Sequence, residues 1–394
     1  MMVSMSGWIR PIRTGWVVRG EVPGPDVDEF AEPEPVIAAL AVPGAADGTL
    51  LAVQHPHRTP AALAEGLGLR AALPIATAAL DRLRAGHYRR VTDVVAPYRV
   101  DGPDGSALGV LCAVDPAAVG LDGLTKVRHT EEVYPAVVEE RAAMLAGLGC
   151  ATSAAMLVPV EGGESLTGLL EQVCAELGEA EVSTVDGNGR EHRMWLLGKG
   201  KRRDAVLRAL RARPLLVADG NHRVAAAATA ERGTLLALVT GGPRLRIGPI
   251  HRVLTGTGLD APELARRWRA VGLDVRPTVD REPPVVPGEV VVLAGAEAMR
   301  IRLPSVPVDR KPVIDHAVVE KLLVERALGI DPAGPSLRPL PGGWTPGPDR
   351  DAVLLLAPVP FADLLAVHAA GERMPRKATY FTPKPRSGLL LADL

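Results

Sequence analysis

Asp219, Gly220, Asn221, His222 and Arg223 follow one another without a break. They set an acid, a turn-forming glycine, an amide, an imidazole and a guanidinium side by side. A guanidinium gives a planar fork of donors, which suits a phosphate or a carboxylate. An imidazole and a carboxylate beside that anion add two groups able to move a proton. Such a set must be held by a strand, a sharp turn and a helix, and the flanking residues read that way. Pro214–Ala218 is a short apolar run ending at Asp219, Gly220 permits the turn, and the Ala-rich run from Val224 to Thr229 favours a helix. The first turn of that helix leaves backbone N–H groups unpaired and adds partial positive charge, so the locus suits an anion.

Composition narrows the class. Lys plus Arg (45) nearly balances Asp plus Glu (46) over 394 residues, for a net charge of −1. A protein that coats DNA carries a strong basic excess, so no nucleic-acid partner is expected. Cys112, Cys150 and Cys174 lie far apart, with no metal-ligand spacing, and fit a reduced, cytoplasmic setting. No run approaches the length of a membrane span, and Met1–Gly20 reads as neither signal peptide nor anchor.

The periodicity predicts a mixed α/β fold in three regions: 1–150, 151–279 and 280–394. In the first, Thr49–Gln54 and Ala107–Val114 read as strands. Thr59–Leu67, Ile75–Ala85 and a long run from Glu131 to Leu148 read as helices, the last with Glu139, Glu140 and Arg141 on its wet side. In the second, Ser153–Val160 and Thr234–Thr240 read as strands and Leu166–Leu177 and Arg202–Ala212 as helices. Val182–Val185 and Arg193–Leu197 read as a hairpin around Asp186-Gly187-Asn188-Gly189. In the third, Val290–Leu293 and Met299–Leu303 read as paired strands, Ala317–Leu328 as a helix, and Ala352–Ala357 with Phe361–Ala370 as a strand and helix. Pro and Gly cluster in loops at Asp280–Glu289 and Asp331–Arg350.

Four segments together resemble the bacterial and archaeal family called domain of unknown function 1015. They are Val127-Arg128-His129-Thr130-Glu131-Glu132 with Arg141 following, Val217–Arg223, and Gly248-Pro249-Ile250-His251-Arg252. The fourth is Met374–Leu389, which contains Lys377, Thr379, Tyr380, Phe381 and Lys384. Val217–Arg223 resembles the family's Ala-Asp-Gly-His-His-Arg block, and the last segment its Pro-x-Lys-Ser-Thr-x-Phe-x-Pro-Lys ending. The chain departs from the pattern at Asn221, where the family has a histidine, and at Thr130, which leaves Glu131 or Glu132 to supply a carboxylate. The family's amino-terminal Pro-Pro-Tyr-Asp element is not evident around Glu21–Glu34. The Asp-Gly-x-His-Arg block is also similar to the phosphate site of ParB/sulfiredoxin-like proteins, a group that includes CTP-binding partition proteins, sulfiredoxins and kinases of free serine. The resemblance implies a ParB/sulfiredoxin-like core in 151–279, with the carboxy-terminal region closing a central cleft.

That resemblance implies a nucleotide-dependent phosphotransferase, with ATP or ADP (or CTP) and Mg²⁺ as cofactors and a small hydroxylated, serine-like acceptor. Phosphoryl transfer needs charge neutralisation, an aligned acceptor and a base. Gly220, Asn221, Arg223, His251, Arg252, Lys377, Thr379 and Lys384 are the expected nucleotide contacts. Asp219 would bind Mg²⁺ or take the acceptor's proton, His222 and Glu131 complete the catalytic set, and Arg128 and His129 face the substrate. A sulfiredoxin-type reaction would need a cysteine at the turn, and none is there. The alternatives are a nucleotide-gated ParB-like switch, for which a homodimer is the natural form, and a non-catalytic accessory protein.

Overall fold

The computed structural model describes residues 7–26, 33–229, 233–242, 244–304 and 313–394. Residues 27–32, in the Glu21–Glu34 stretch, and the first six residues of the amino-terminal stretch lie outside the described residues. The chain is a mixed α/β protein in two compact units. One comprises residues up to 129, 133–246 and 382–394; the other comprises 130–132 and 247–381. These limits do not coincide with the expected ones at 150 and 279.

The first unit is built on a mixed sheet. Its order is Val127–Arg128, Leu215–Asp219, Ala155–Pro159, Leu235–Thr240, Gly105–Val114, Ala96–Gly102, Glu191–Met194 and Val182–Val185. Two pairs are parallel, Val127–Arg128 with Leu215–Asp219 and Ala155–Pro159 with Leu235–Thr240. Gly105–Val114 is buried on both faces, and its period of two divides it between two cores. Leu108, Val110, Cys112 and Val114 meet Leu166, Leu170 and Val173 of the helix Gly163–Leu177 and Val206, Leu207 and Leu210 of the helix Lys201–Arg211. Ala107, Leu111 and Ala113 join the opposite core. That core is shared with a second small sheet, ordered Tyr88–Val94, Ile12–Val18, Leu390–Asp393, Cys150–Ala151.

The second unit is an antiparallel sheet ordered Asp274–Pro277, Glu297–Arg302, Glu289–Ala294, Arg350–Leu356, Ile250–Thr255, Leu337–Pro341. One face carries the helix Ala261–Ala270 and the helical stretch Asp315–Arg326. Leu264, Trp268, Leu323 and Val324 pack on Val290, Val292, Ile301 and Leu354. Trp268 Nε1 donates to the Leu323 carbonyl at 2.9 Å, so the indole is buried without an orphaned donor. Asp260 starts the first helix by accepting the Glu263 N–H at 2.9 Å.

Most expected elements are present within a few residues, but several differ, and the loop expected over Asp331–Arg350 contains the strand Leu337–Pro341. Thr49–Gln54 is not a strand. Thr49 caps a helix over Leu50–Gln54, accepting the Ala52 N–H, and all of Leu50–Val53 is buried. A short apolar run carries no period that separates a buried helix from a buried strand. The helix expected over Thr59–Leu67 covers only Pro60–Ala64. The long helix begins at Pro135, so Glu131 precedes it. Asp315–Val318 is α-helical, and Val319–Arg326 continues with the wider π-type turn.

No helix among the described residues is long and apolar enough to cross a membrane. The three cysteines are unpaired thiols. Burial pushes Cys112 up to about 12 and Cys150 and Cys174 up to about 11, so at neutral pH they are protonated packing residues, not nucleophiles.

Candidate functional site

The first unit brings together Asp219, Asn221, His222, Arg223, His129 and Lys384. Leu215–Asp219 and the short strand Val127–Arg128 run parallel, so both end at the same edge of the sheet. His129 follows one strand; Gly220 and the helix Asn221–Thr229 follow the other. Gly220 takes φ +91°, and a Cβ there would lie 2.7 Å from Arg223 Nε. Only glycine therefore lets the guanidinium fold back over the turn.

Arg223 does fold back. One terminal nitrogen pairs with the Asp219 carboxylate. The other donates to the Ala154 carbonyl at 2.5 Å and to Ser153 Oγ at 3.3 Å. The second Asp219 oxygen meets Lys384 Nζ at 3.0 Å, with both side chains largely buried. Lys384 is delivered by the carboxy-terminal segment, which is pinned on both sides. Thr382 Oγ1 donates to the Asp104 carbonyl at 3.0 Å, and the Arg386 N–H donates to the buried Tyr98 hydroxyl at 3.0 Å. One carboxylate thus stands between two cations beside a helix N-terminus. The local charge is net positive, although the whole chain is nearly neutral.

The two imidazoles are held by other contacts. His222 Nε2 accepts the Tyr134 N–H at 3.0 Å, and its ring stacks on the Tyr134 ring with centroids 5.8 Å apart. A ring nitrogen that accepts is unprotonated, so neutral His222 carries its proton on Nδ1. His129 Nδ1 lies 3.1 Å from the Asn221 side-chain oxygen. Asn221 is buried and ties the turn to the neighbouring strand end. Arg128 points elsewhere: it donates to the Thr125 carbonyl at 3.3 Å and pairs with Asp122 at 2.9 Å, bracing the loop before its own strand. A cavity of ≈ 60 Å³ adjoins Arg223, with Arg141, Ser153, Met144, Leu148 and Leu236 in its wall.

Glu131, His251, Arg252, Lys377 and Thr379 belong to the second unit, where Glu131 and Arg252 clamp the turn that carries Lys377 and Thr379. Arg252 donates to the carbonyls of Arg376 and Lys377, each at 3.0 Å, and pairs with Glu320 at 2.7 Å. Glu131 takes the amides of the same turn. It accepts from Lys377 N at 3.1 Å, Ala378 N and Thr379 N at 3.2 Å, and Thr379 Oγ1 at 2.9 Å. Lys377, at φ +51°, is the left-handed residue that turns the chain. His251 lies within its sheet, where Nδ1 accepts the Leu356 N–H at 3.1 Å.

Burial pushes the Glu131 carboxyl up, while Lys377 and the turn's donors pull it down. Glu131→Ala would leave up to three amides without acceptors around the buried Ala378. A buried orphaned donor costs about 1–3 kcal/mol, so this variant is expected to lose about 3 kcal/mol in urea unfolding. An unchanged urea midpoint would show that the turn does not depend on Glu131.

Sequence reasoning missed Tyr134, Ser153 and Glu320. Tyr134 carries a faint signal, an aromatic residue directly before the proline that opens a helix. Ser153 and Glu320 carry none, because each meets its arginine only through folding.

The profile of the family described as Protein of unknown function (DUF1015) matches residues 97–318, more than half of the chain. No curated protein matches it. Among solved structures, the chain is distantly similar to a conserved hypothetical protein from Pyrococcus furiosus, at 14% identity and TM-score 0.38, over 68% of this chain and 91% of that one. It is similar to SbnI with C-terminal truncation from Staphylococcus aureus at 14% and 0.38, over 68% and 84%. A free serine kinase in complex with AMP gives 14% and 0.36, over 67% and 89%. Likeness at this distance assigns no activity.

Proposed function

The chain belongs to the DUF1015 family, a family without an assigned reaction, and on that footing we propose that it is a nucleotide-dependent phosphotransferase acting on a small hydroxylated metabolite. The observation that carries this reading is the Asp219 carboxylate between Arg223 and Lys384 at a strand–glycine–helix turn. Phosphoryl transfer asks a protein for fixed positive charge and alignment more than for covalent chemistry. Arg223 and Lys384 supply that charge, and Asp219 holds both in place before any ligand arrives. The amides that open the helix Asn221–Thr229 add donors of fixed direction. His222 stands at the same turn, held by the Tyr134 N–H, as the second member of the catalytic set. In this reading Asp219 takes the acceptor's proton. A serine-like amino acid is the first acceptor to try, by the motif's similarity to kinases of free serine.

Both Asp219 oxygens already face cations. Among the described residues no three His, Cys, Asp or Glu side chains gather into a metal cage. These residues do not fit a resident Mg²⁺. The ion is assigned to the nucleotide, whose phosphates bring it with most of its waters, and no step is assigned to it.

Calorimetric titration with ATP, ADP and CTP in turn tests the reading at its first step. Binding of one nucleotide that weakens steeply with added salt is expected of a site made from two cations. Absence of binding by all three would remove the proposal. Binding without any phosphorylated product would favour a nucleotide-gated switch.

A further inference from the structure

A second site is built at the opposite edge of the same sheet. Ala155–Pro159 and Leu235–Thr240 run parallel and end together there, away from Asp219, because Leu215–Asp219 runs antiparallel to Ala155–Pro159. A half-open groove of ≈ 400 Å³ lies at that edge, within the size range of small-molecule sites. One wall is a single helix face made of Glu164, Thr167, Gly168 and Glu171. That i, i+3, i+4, i+7 spacing usually carries apolar residues toward a core; here it carries two acids, a hydroxyl and a glycine. Arg99 and Arg244 line the same groove from a strand and from the turn after Leu235–Thr240. Arg99 is fixed by Asp101 at 2.7 Å. Among the described residues, the side chains of Glu164 and Arg244 have no hydrogen bond or ion pair, and Glu171 acts on Arg99 through its charge alone.

Gly168 points the same way independently. A glycine inside a helix costs about 1 kcal/mol relative to alanine. Among the described residues no packing requires one here, since a Cβ at this position would meet nothing within 4 Å. The open volume is the space that a side chain would occupy.

We propose that this groove binds a small zwitterion, a free amino acid or short peptide, with its carboxylate on Arg99 and Arg244 and its ammonium on Glu164 and Glu171. The site does not depend on the phosphotransferase reading. Saturation-transfer NMR with triglycine, N-acetyltriglycine and triglycinamide separates the charge requirements. Triglycine should give transfer, and the two peptides that each lack one charge should bind about tenfold more weakly or less, a loss of about 1.4 kcal/mol. Gly168→Leu should abolish the signal while its thermal midpoint stays at or above that of the unaltered chain, because leucine is the better helix former. Arg223→Ala should leave the signal intact. Equal responses from all three peptides, silence from triglycine, or binding that survives Gly168→Leu would each overturn the proposal. Loss of the signal in Arg223→Ala would reassign it to the turn.

Discussion

Arg223→Ala and Lys384→Ala are each expected to lower phosphoryl transfer by about 10²–10³-fold, the usual effect of removing one preorganised charge or donor from a transition state. Both should weaken nucleotide binding and flatten its salt dependence. Asp219→Asn separates the roles. It keeps the shape of the side chain but frees net positive charge, so nucleotide should bind as well as before or better. Turnover should fall by about 10²–10⁴-fold, because the group that takes the acceptor's proton is gone. Replacing one member of a largely buried ion pair also costs stability, so each variant needs a thermal midpoint beside its rate. If Asp219→Asn turned over at the original rate, the carboxylate would be a brace for the two cations and nothing more.

Acid should weaken the second unit before ordinary carboxylates titrate. Burial, with Arg252 close by, lowers His251 to about 4 and His316 to about 3. His251 already uses Nδ1 to accept the Leu356 N–H. His316 donates from Nε2 to the Ile250 carbonyl at 2.8 Å, and its Nδ1 is buried without a hydrogen-bond partner among the described residues. The folded values lie below the ordinary value of about 6.5, so as pH falls the unfolded chain takes up protons first. The stability is complete above about 6.5 and drains away as pH falls toward the folded values. By pH 5 each histidine should cost about 2 kcal/mol. Asp315, pushed up by burial, works in the opposite direction nearer the carboxylate range, so the comparison belongs between pH 7 and pH 5. Urea midpoints read by fluorescence of a chain that keeps Trp268 and has Trp8, Trp16, Trp195 and Trp344 replaced by Phe should drop over that interval, and His251→Gln in that background should halve the drop. Equal midpoints at pH 7 and pH 5 would contradict the assignment.

These sites were legible in the sequence to different depths. The strand–glycine–helix turn could be read directly, because Pro214–Ala218, Gly220 and the Ala-rich run each carry a local signal. That Lys384 answers Asp219 could not, since the two are far apart in sequence and meet only where Tyr98 and Asp104 pin the carboxy-terminal segment. Glu131 and Arg252 carried chemical types suited to catalysis, yet Glu131 takes the amides of a turn and Arg252 its carbonyls. Residue type announced a charge that needed a partner, not whether the partner would be a ligand or the backbone. Thr49–Gln54 failed for a simpler reason, because four consecutive buried apolar residues have no period to read.

The central claim is tested most directly by a phosphorus NMR time course. The purified chain would be incubated with Mg²⁺, ATP or ADP, and a pool of hydroxy amino acids led by L-serine. A new phosphomonoester resonance, absent with Arg223→Ala, is the result expected of a phosphotransferase centred on Asp219, Arg223 and Lys384. A spectrum unchanged with either nucleotide, or a product formed equally well by Arg223→Ala, would contradict it.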